Sequence, residues 1–158
     1  MRNLLILILM ACVGPLQAQN YVKAESATYI RRSAYIIQQA HKELFKLDSA
    51  KMEGKFAKAI GHQRMARSYF QVNDFKNAVY HSAYARRLAA SVYFSYNPLP
   101  NNQLRDTPQE AKLASGGPSD KDLDKRLVDS NPGITFNDKD FITDSRLFKL
   151  DVDDLVQP

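Results

Sequence analysis

The chain has 158 residues, of which 44% are hydrophobic, 25% charged and 10% aromatic, and a formal net charge of +5. Six glycines and seven prolines exclude a collagen-like or low-complexity chain, and the apolar content excludes wholesale disorder. No stretch reaches the roughly 18 continuous apolar residues of a membrane-spanning helix, so one domain, or one domain plus a tail, is expected.

Residues 1–18 have the layout of a secretory signal peptide: basic Arg2, an apolar run from Leu4 to Val13, a Gly14-Pro15 breaker and small Ala18. Cleavage between Ala18 and Gln19 is expected, and with it export to the periplasm or beyond a bacterial cell. Cys12, the single cysteine, follows Leu9-Met10-Ala11 in a pattern that resembles a lipoprotein box, which gives lipid anchoring as the alternative. The simpler reading makes Cys12 one apolar residue of the discarded segment. The exported chain then has no disulfide, thiol nucleophile or iron–sulfur site, and its stability comes from packing.

Three helices follow. From Ala27 to Leu47, residues Ile30, Ala34, Ile37, His41 and Leu44 form one stripe, with Ser26 as N-cap and Asp48-Ser49 as the break. A second helix is expected from Ala50 to Val72 through Met52, Phe56, Ala59, Gln63, Ala66 and Phe70; Gly61 inside it costs up to ~1 kcal/mol relative to Ala. Asn73-Asp74 turns the chain, and a third helix runs Phe75–Tyr96 through Ala78, Val79, Ser82, Ala85, Leu88, Ala89 and Val92, ended by Pro98 and Pro100. Similar lengths and short turns predict an all-α fold, an antiparallel up-down-up three-helix bundle over residues 19–96. Tyrosines are expected at its edges with their hydroxyls in water.

Residues 97–118 read as a turn-rich linker and 119–158 as a partly irregular acidic C-terminal segment. Ser119-Asp120-Lys121-Asp122 resembles a capping-box start for a helix to about Leu127, and Asn131-Pro132-Gly133 is a turn. Asp138 to Leu155 alternates acids with Phe141, Ile142, Leu147, Phe148, Leu150 and Leu155. It reads equally as a short helix docked on the bundle and as a segment that orders on meeting a partner.

Periodicity alone gives a generic antiparallel bundle. Within residues 62–90, however, Ala66, Tyr69, Phe75, Ala78 and Ala85 fall at positions where a tetratricopeptide-type hairpin carries small and aromatic residues, and this stretch resembles one such hairpin. The resemblance implies a peptide-binding or scaffolding surface without catalysis.

Charge is divided along the chain: residues 19–105 carry 14 Lys and Arg against 5 Asp and Glu, and residues 106–158 carry 7 against 12. Arg31, Arg32, Arg64, Arg67, Arg86 and Arg87 are the candidate anion contacts on the helix faces. Export argues against cellular nucleic acid, so another envelope protein is the expected partner, with an anionic polymer or lipid surface of the envelope as the alternative. The acidic tail, drawn by the opposite field, is expected to compete with any such partner.

His41, His62 and His81 fall one to each helix but lack a second ligand at helical i, i+3 or i, i+4 spacing, so no metal site is assigned. The tail's Asp138-x-Asp140 and Asp151-x-Asp153-Asp154 lack the glycine and closing glutamate of a calcium loop. Nucleophile-elbow, phosphate-loop and haem motifs are absent, and no cofactor is called. The expectation is a non-catalytic interaction or structural protein of the bacterial envelope.

Overall fold

The computed structural model describes residues 2–45, 54–97, 102–142 and 149–156, with side chains from Val22 to Leu44 and in the later stretches. Three long helices dominate it: α1 (Arg2–Phe45), α2 (Lys55–Gln71) and α3 (Phe75–Tyr96). The start of α3 follows from its cap, since the Asp74 carboxylate accepts the Asn77 backbone N–H at 3.1 Å and the Asn77 side-chain amide at 2.7 Å. The tight turn before it places Asn73 at φ 62, a left-handed conformation that asparagine tolerates.

Two helix starts differ from the expected ones. Ser26 is no N-cap, because α1 is already helical upstream of it and runs through Gly14-Pro15; the Ser26 side chain is buried in the bundle. α2 begins at Lys55 rather than Ala50, because Gly54 at φ 73 turns the backbone out of the right-handed helical region. The Asp48-Ser49 break, Pro98, Pro100, Leu147 and Phe148 lie outside the described residues, as do the side chains of Cys12, Ala18 and Gln19.

The helices pack as an all-α, up-down-up bundle. At one end Ala27 and Ile30 of α1 meet Phe70 of α2 and Phe75 and Ala78 of α3. Toward the other end Ile37, Ala40 and Leu44 meet Phe56 and Ile60, and Ala85, Ala89 and Val92. Numbers rise along α1 and α3 while they fall along α2, which is the antiparallel register. Ala59, Ala66, Ala78, Ala85 and Ala89 are completely buried, so small side chains stand where the helices come closest.

The rest of the chain wraps the bundle. A 3₁₀ turn (Asn102–Leu104) leads to α4 (Pro108–Leu113), α5 (Asp120–Ser130), α6 (Asp138–Ile142) and α7 (Asp153–Val156). The expected linker therefore contains a helix, started by a reciprocal capping box in which Thr107 accepts from the Glu110 N–H and Glu110 accepts from the Thr107 N–H. Ser119 caps α5 as its sequence suggests.

Of the two readings open for residues 138–155, the described parts, 138–142 and 149–155, have the docked one: Leu150 and Val152, like Leu123 and Leu127 of α5, are fully buried. Gly61 finds its reason here. A Cβ at that position would lie 2.8 Å from the Phe136 ring and 3.0 Å from Leu127, so the returning chain packs directly on the α2 backbone. The tyrosines depart from expectation, since Tyr29, Tyr80 and Tyr84 are buried and, among the tyrosines whose side chains are described, only Tyr35 is well exposed.

Candidate functional site

A cleft between α1 and α2 is filled by residues 150–156 of the same chain. Leu150 enters the main core and Val152 enters the cluster of Ala27, Ile30, Phe70 and Phe75. Between these two anchors lies Gln63, completely buried, whose side-chain amide donates to the Ile30 carbonyl and to the Leu150 carbonyl, both at 2.9 Å. Its oxygen accepts from the Ser82 hydroxyl at 3.0 Å. One buried amide thus ties α1, α2, α3 and the C-terminal segment together, and it reads a backbone carbonyl of that segment.

Arg67 forms the outer wall. Its guanidinium donates to the Asp151 carbonyl at 2.5 Å and in a fork to both oxygens of Asp154. Hydrogen bonding to Asp154 holds Arg67 charged more firmly, and the same bond holds Asp154 below the usual carboxylate range. Arg31, on α1, pairs with Asp153. The cleft therefore offers two apolar pockets, a buried backbone reader and two guanidinium groups.

A second cluster surrounds Arg86, which is 2% exposed although its neighbours in sequence suggest a surface position. Its guanidinium reaches Asp106 at 2.9 Å, Glu110 at 3.1 Å and the Arg105 carbonyl at 2.8 Å, and lies over the Tyr29 ring. Arg32 shares Glu110 at 2.5 Å and donates to the Gln103 and Arg105 carbonyls. Burial alone would raise Glu110; the Thr107 N–H and the Arg86 charge outweigh it and hold the carboxyl low. Burial, reinforced by Asp106, pushes the Tyr29 phenol up. Beside this cluster a groove of about 810 Å³ runs between α1 and α4, lined by Thr28, Arg32, Glu110 and Leu113 among others.

The candidate anion contacts thus do not form an open cationic face. Arg31, Arg32, Arg67, Arg86 and Arg87 each meet acids of the chain's own C-terminal third, Arg87 through Asp120. Arg64 stacks over Phe141 at 5.6 Å. The division of charge that the sequence shows is resolved within the molecule.

Two of the three histidines come together. His62 and His81 are fully buried with their Nδ1 atoms 3.0 Å apart, while His62 Nε2 lies 3.1 Å from the Asp124 carboxylate of α5. A carboxylate only accepts, so His62 carries its proton on Nε2; neutral His62 then accepts at Nδ1, and His81 donates from its own Nδ1. His81 Nε2 is left as a buried acceptor that meets no hydrogen-bond partner among the described residues. Burial lowers both imidazoles, His81 to about 4, and Lys58 and His62 hold Asp124 ionised against its own burial.

Asp124 and His81 approach opposite nitrogens of His62, so the three do not converge on one point, and among the described residues no group of three or more His, Cys, Asp or Glu is placed to hold a metal ion. His41 is apart from the pair and donates to the Ile142 carbonyl at 2.7 Å. What the pair does hold is α5, through Asp124, which also accepts from Lys58 at 2.8 Å.

Asp138 fastens another part of the tail. Its carboxylate accepts the Gly54 N–H at 3.1 Å and the Ala57 N–H at 2.7 Å, capping the start of α2 from more than eighty residues away. No described helix is long and apolar enough to cross a membrane. Comparison of the chain with protein-family models, with characterised proteins and with solved structures finds no match.

Proposed function

We propose that this chain is a non-catalytic interaction protein of the bacterial cell envelope, an adaptor whose helical bundle presents clefts to other proteins. The observation that carries the reading is the α1–α2 cleft, where Gln63, Arg67 and Arg31 hold a short acidic and apolar segment by its backbone and its side chains. The signal-like residues 1–18 support export, and the hairpin resemblance over 62–90 supports a scaffolding role. The lipid-anchored alternative through Cys12 keeps the same role and changes only the attachment.

Crosslinking in the native cell, followed by purification from the envelope, tests the reading. A stoichiometric protein partner is the expected result. Recovery alone, or with lipid and polymer only, contradicts it.

A second reading, binding of an anionic envelope polymer or lipid surface, is favoured by the net charge of residues 19–105. It requires the tail's acids to leave Arg31, Arg32, Arg67, Arg86 and Arg87 first. Salt separates the two readings by degree, since polyanion binding through five arginines weakens more steeply with ionic strength than docking through two buried apolar anchors and two arginines.

A further inference from the structure

We infer that the α1–α2 cleft is an acceptor site for an acidic–apolar peptide of a partner protein, and that residues 150–156 are its built-in competitor. The inference rests on the interaction-protein reading and names the kind of partner it takes. Recognition follows from the seated segment, Leu150-Asp151-Val152-Asp153-Asp154-Leu155. Apolar residues two apart fill two pockets, the intervening carbonyls are read by Gln63 and Arg67, and acids at the next two positions meet Arg31 and Arg67.

Three features make this a ligand site and not only a packed chain end. Gln63 is completely buried, and one of its two amide hydrogens has its partner in the segment, so removal of the segment leaves a buried donor facing an empty cleft. Arg67 binds the Asp151 carbonyl and the Asp154 carboxylate, a pair of groups that the segment brings together where it turns into α7. Finally, the acids of the segment stay largely at the surface, with side-chain exposures of 61% for Asp153 and 60% for Asp154, and only Leu150 and Val152 are enclosed. Such a segment is held by few anchors and by charge, and a peptide of the same pattern replaces every contact it makes.

Competition sets the affinity. A covalently attached ligand faces its cleft at an effective concentration on the order of millimolar, so a free peptide of micromolar affinity binds the intact chain on the order of 1,000-fold more weakly than a chain whose segment is fully disengaged.

The test uses the full-length protein and a fluorescent peptide with the sequence of residues 149–158, read by anisotropy. Asp154→Lys changes only an exposed acid of the segment and is expected to increase the affinity for the peptide at least tenfold over wild type. Val152→Asp, which expels a buried anchor, is expected to increase it further. Arg67→Glu in the Val152→Asp background, where the chain's own Asp154 also faces the introduced glutamate, abolishes binding of this peptide, and a peptide carrying Lys at the position of Asp154 restores part of it.

Equal, weak binding by wild type and Asp154→Lys overturns the proposal, as does binding that ignores Arg67→Glu. A dimer formed by exchange of segments between two copies also overturns it, by making the occupant a second copy of the chain. These readouts need no cellular partner. Their failure removes the cleft assignment, whereas failure to recover an envelope protein from cells removes the adaptor reading.

Discussion

His62 and His81 face each other Nδ1 to Nδ1 at 3.0 Å inside the α2–α3 interface, sharing one proton between two buried rings. Tyr84 tilts against the first ring and Tyr69 stacks on the second, and Asp124 fixes the tautomer from α5. Protonating His81 on Nε2 would keep this bond but bury a charge where Nε2 meets no hydrogen-bond partner, so burial favours the neutral pair. Burial lowers His81 to about 4, with the neighbouring His62 and Arg126 adding to the shift.

In the unfolded chain His81 titrates near 6.5, so between pH 6.5 and pH 4 the unfolded state binds the extra proton. Stability is therefore present above pH 6.5 and falls as the pH drops, by roughly 3 kcal/mol from His81, with His62 acting in the same direction. Urea unfolding at pH 4.5, 5.5, 6.5 and 7.5 measures it. His81→Gln is expected to flatten the slope by about half, and an unchanged slope removes His81 as its source.

Among the described residues Arg86 is the most enclosed charged side chain, 2% exposed. Arg86→Ala leaves Asp106 and Glu110 facing each other without their common cation, and a loss of about 3 kcal/mol is expected, reduced by the access both carboxylates have to water. Thermal unfolding should show it as a Tm lower by about 6–12 °C for a domain of this size. A drop under about 2 °C would show that the cluster contributes little.

Gly61→Ala separates two opposed effects. Alanine favours the helix by up to ~1 kcal/mol, but its Cβ meets Phe136 and Leu127 at 3.0 Å or less. Overpacking costs about 1–3 kcal/mol, so net destabilisation is expected on denaturant unfolding. A stabilised variant would mean that residues 127–136 do not sit on α2.

Asp138→Ala removes the distant cap of α2. A loss of about 1–2 kcal/mol is expected, with faster amide exchange at Gly54 and Ala57 than elsewhere in α2. Burial raises the Asp138 carboxyl in spite of those two N–H donors, so Asp138→Asn is expected to cost less than the alanine.

Much of the helical frame was legible because its signals are local. Asp74 caps α3 and Ser119 caps α5 within three residues, and the 3–4 spacing from Ile30 to Leu44 marks the face that the core uses. Starts set by backbone conformation were not legible in the same way: Gly54 breaks the chain by its φ, and its sequence neighbourhood reads as helix.

The candidate site was least legible, since its members are distant in sequence. His62 and His81 lie 19 positions apart on different helices, so a search for ligands one helical turn apart passes over them. Arg86 looks like a surface residue until Asp106 and Glu110 return to cover it. One signal was present: Gln63 and Ser82 are polar residues on otherwise apolar stripes, and they bond each other at 3.0 Å beside the cleft.

If residues 150–156 are a docked, displaceable ligand of the bundle, hydrogen exchange on the intact chain shows it. The amides of this segment are expected to be protected relative to the free peptide, yet to exchange far faster than those of Ala78 to Ala89 in α3, through opening of the segment alone. Protection equal to that of α3, with release only on global unfolding, would contradict the account, and so would exchange as fast as that of the free peptide.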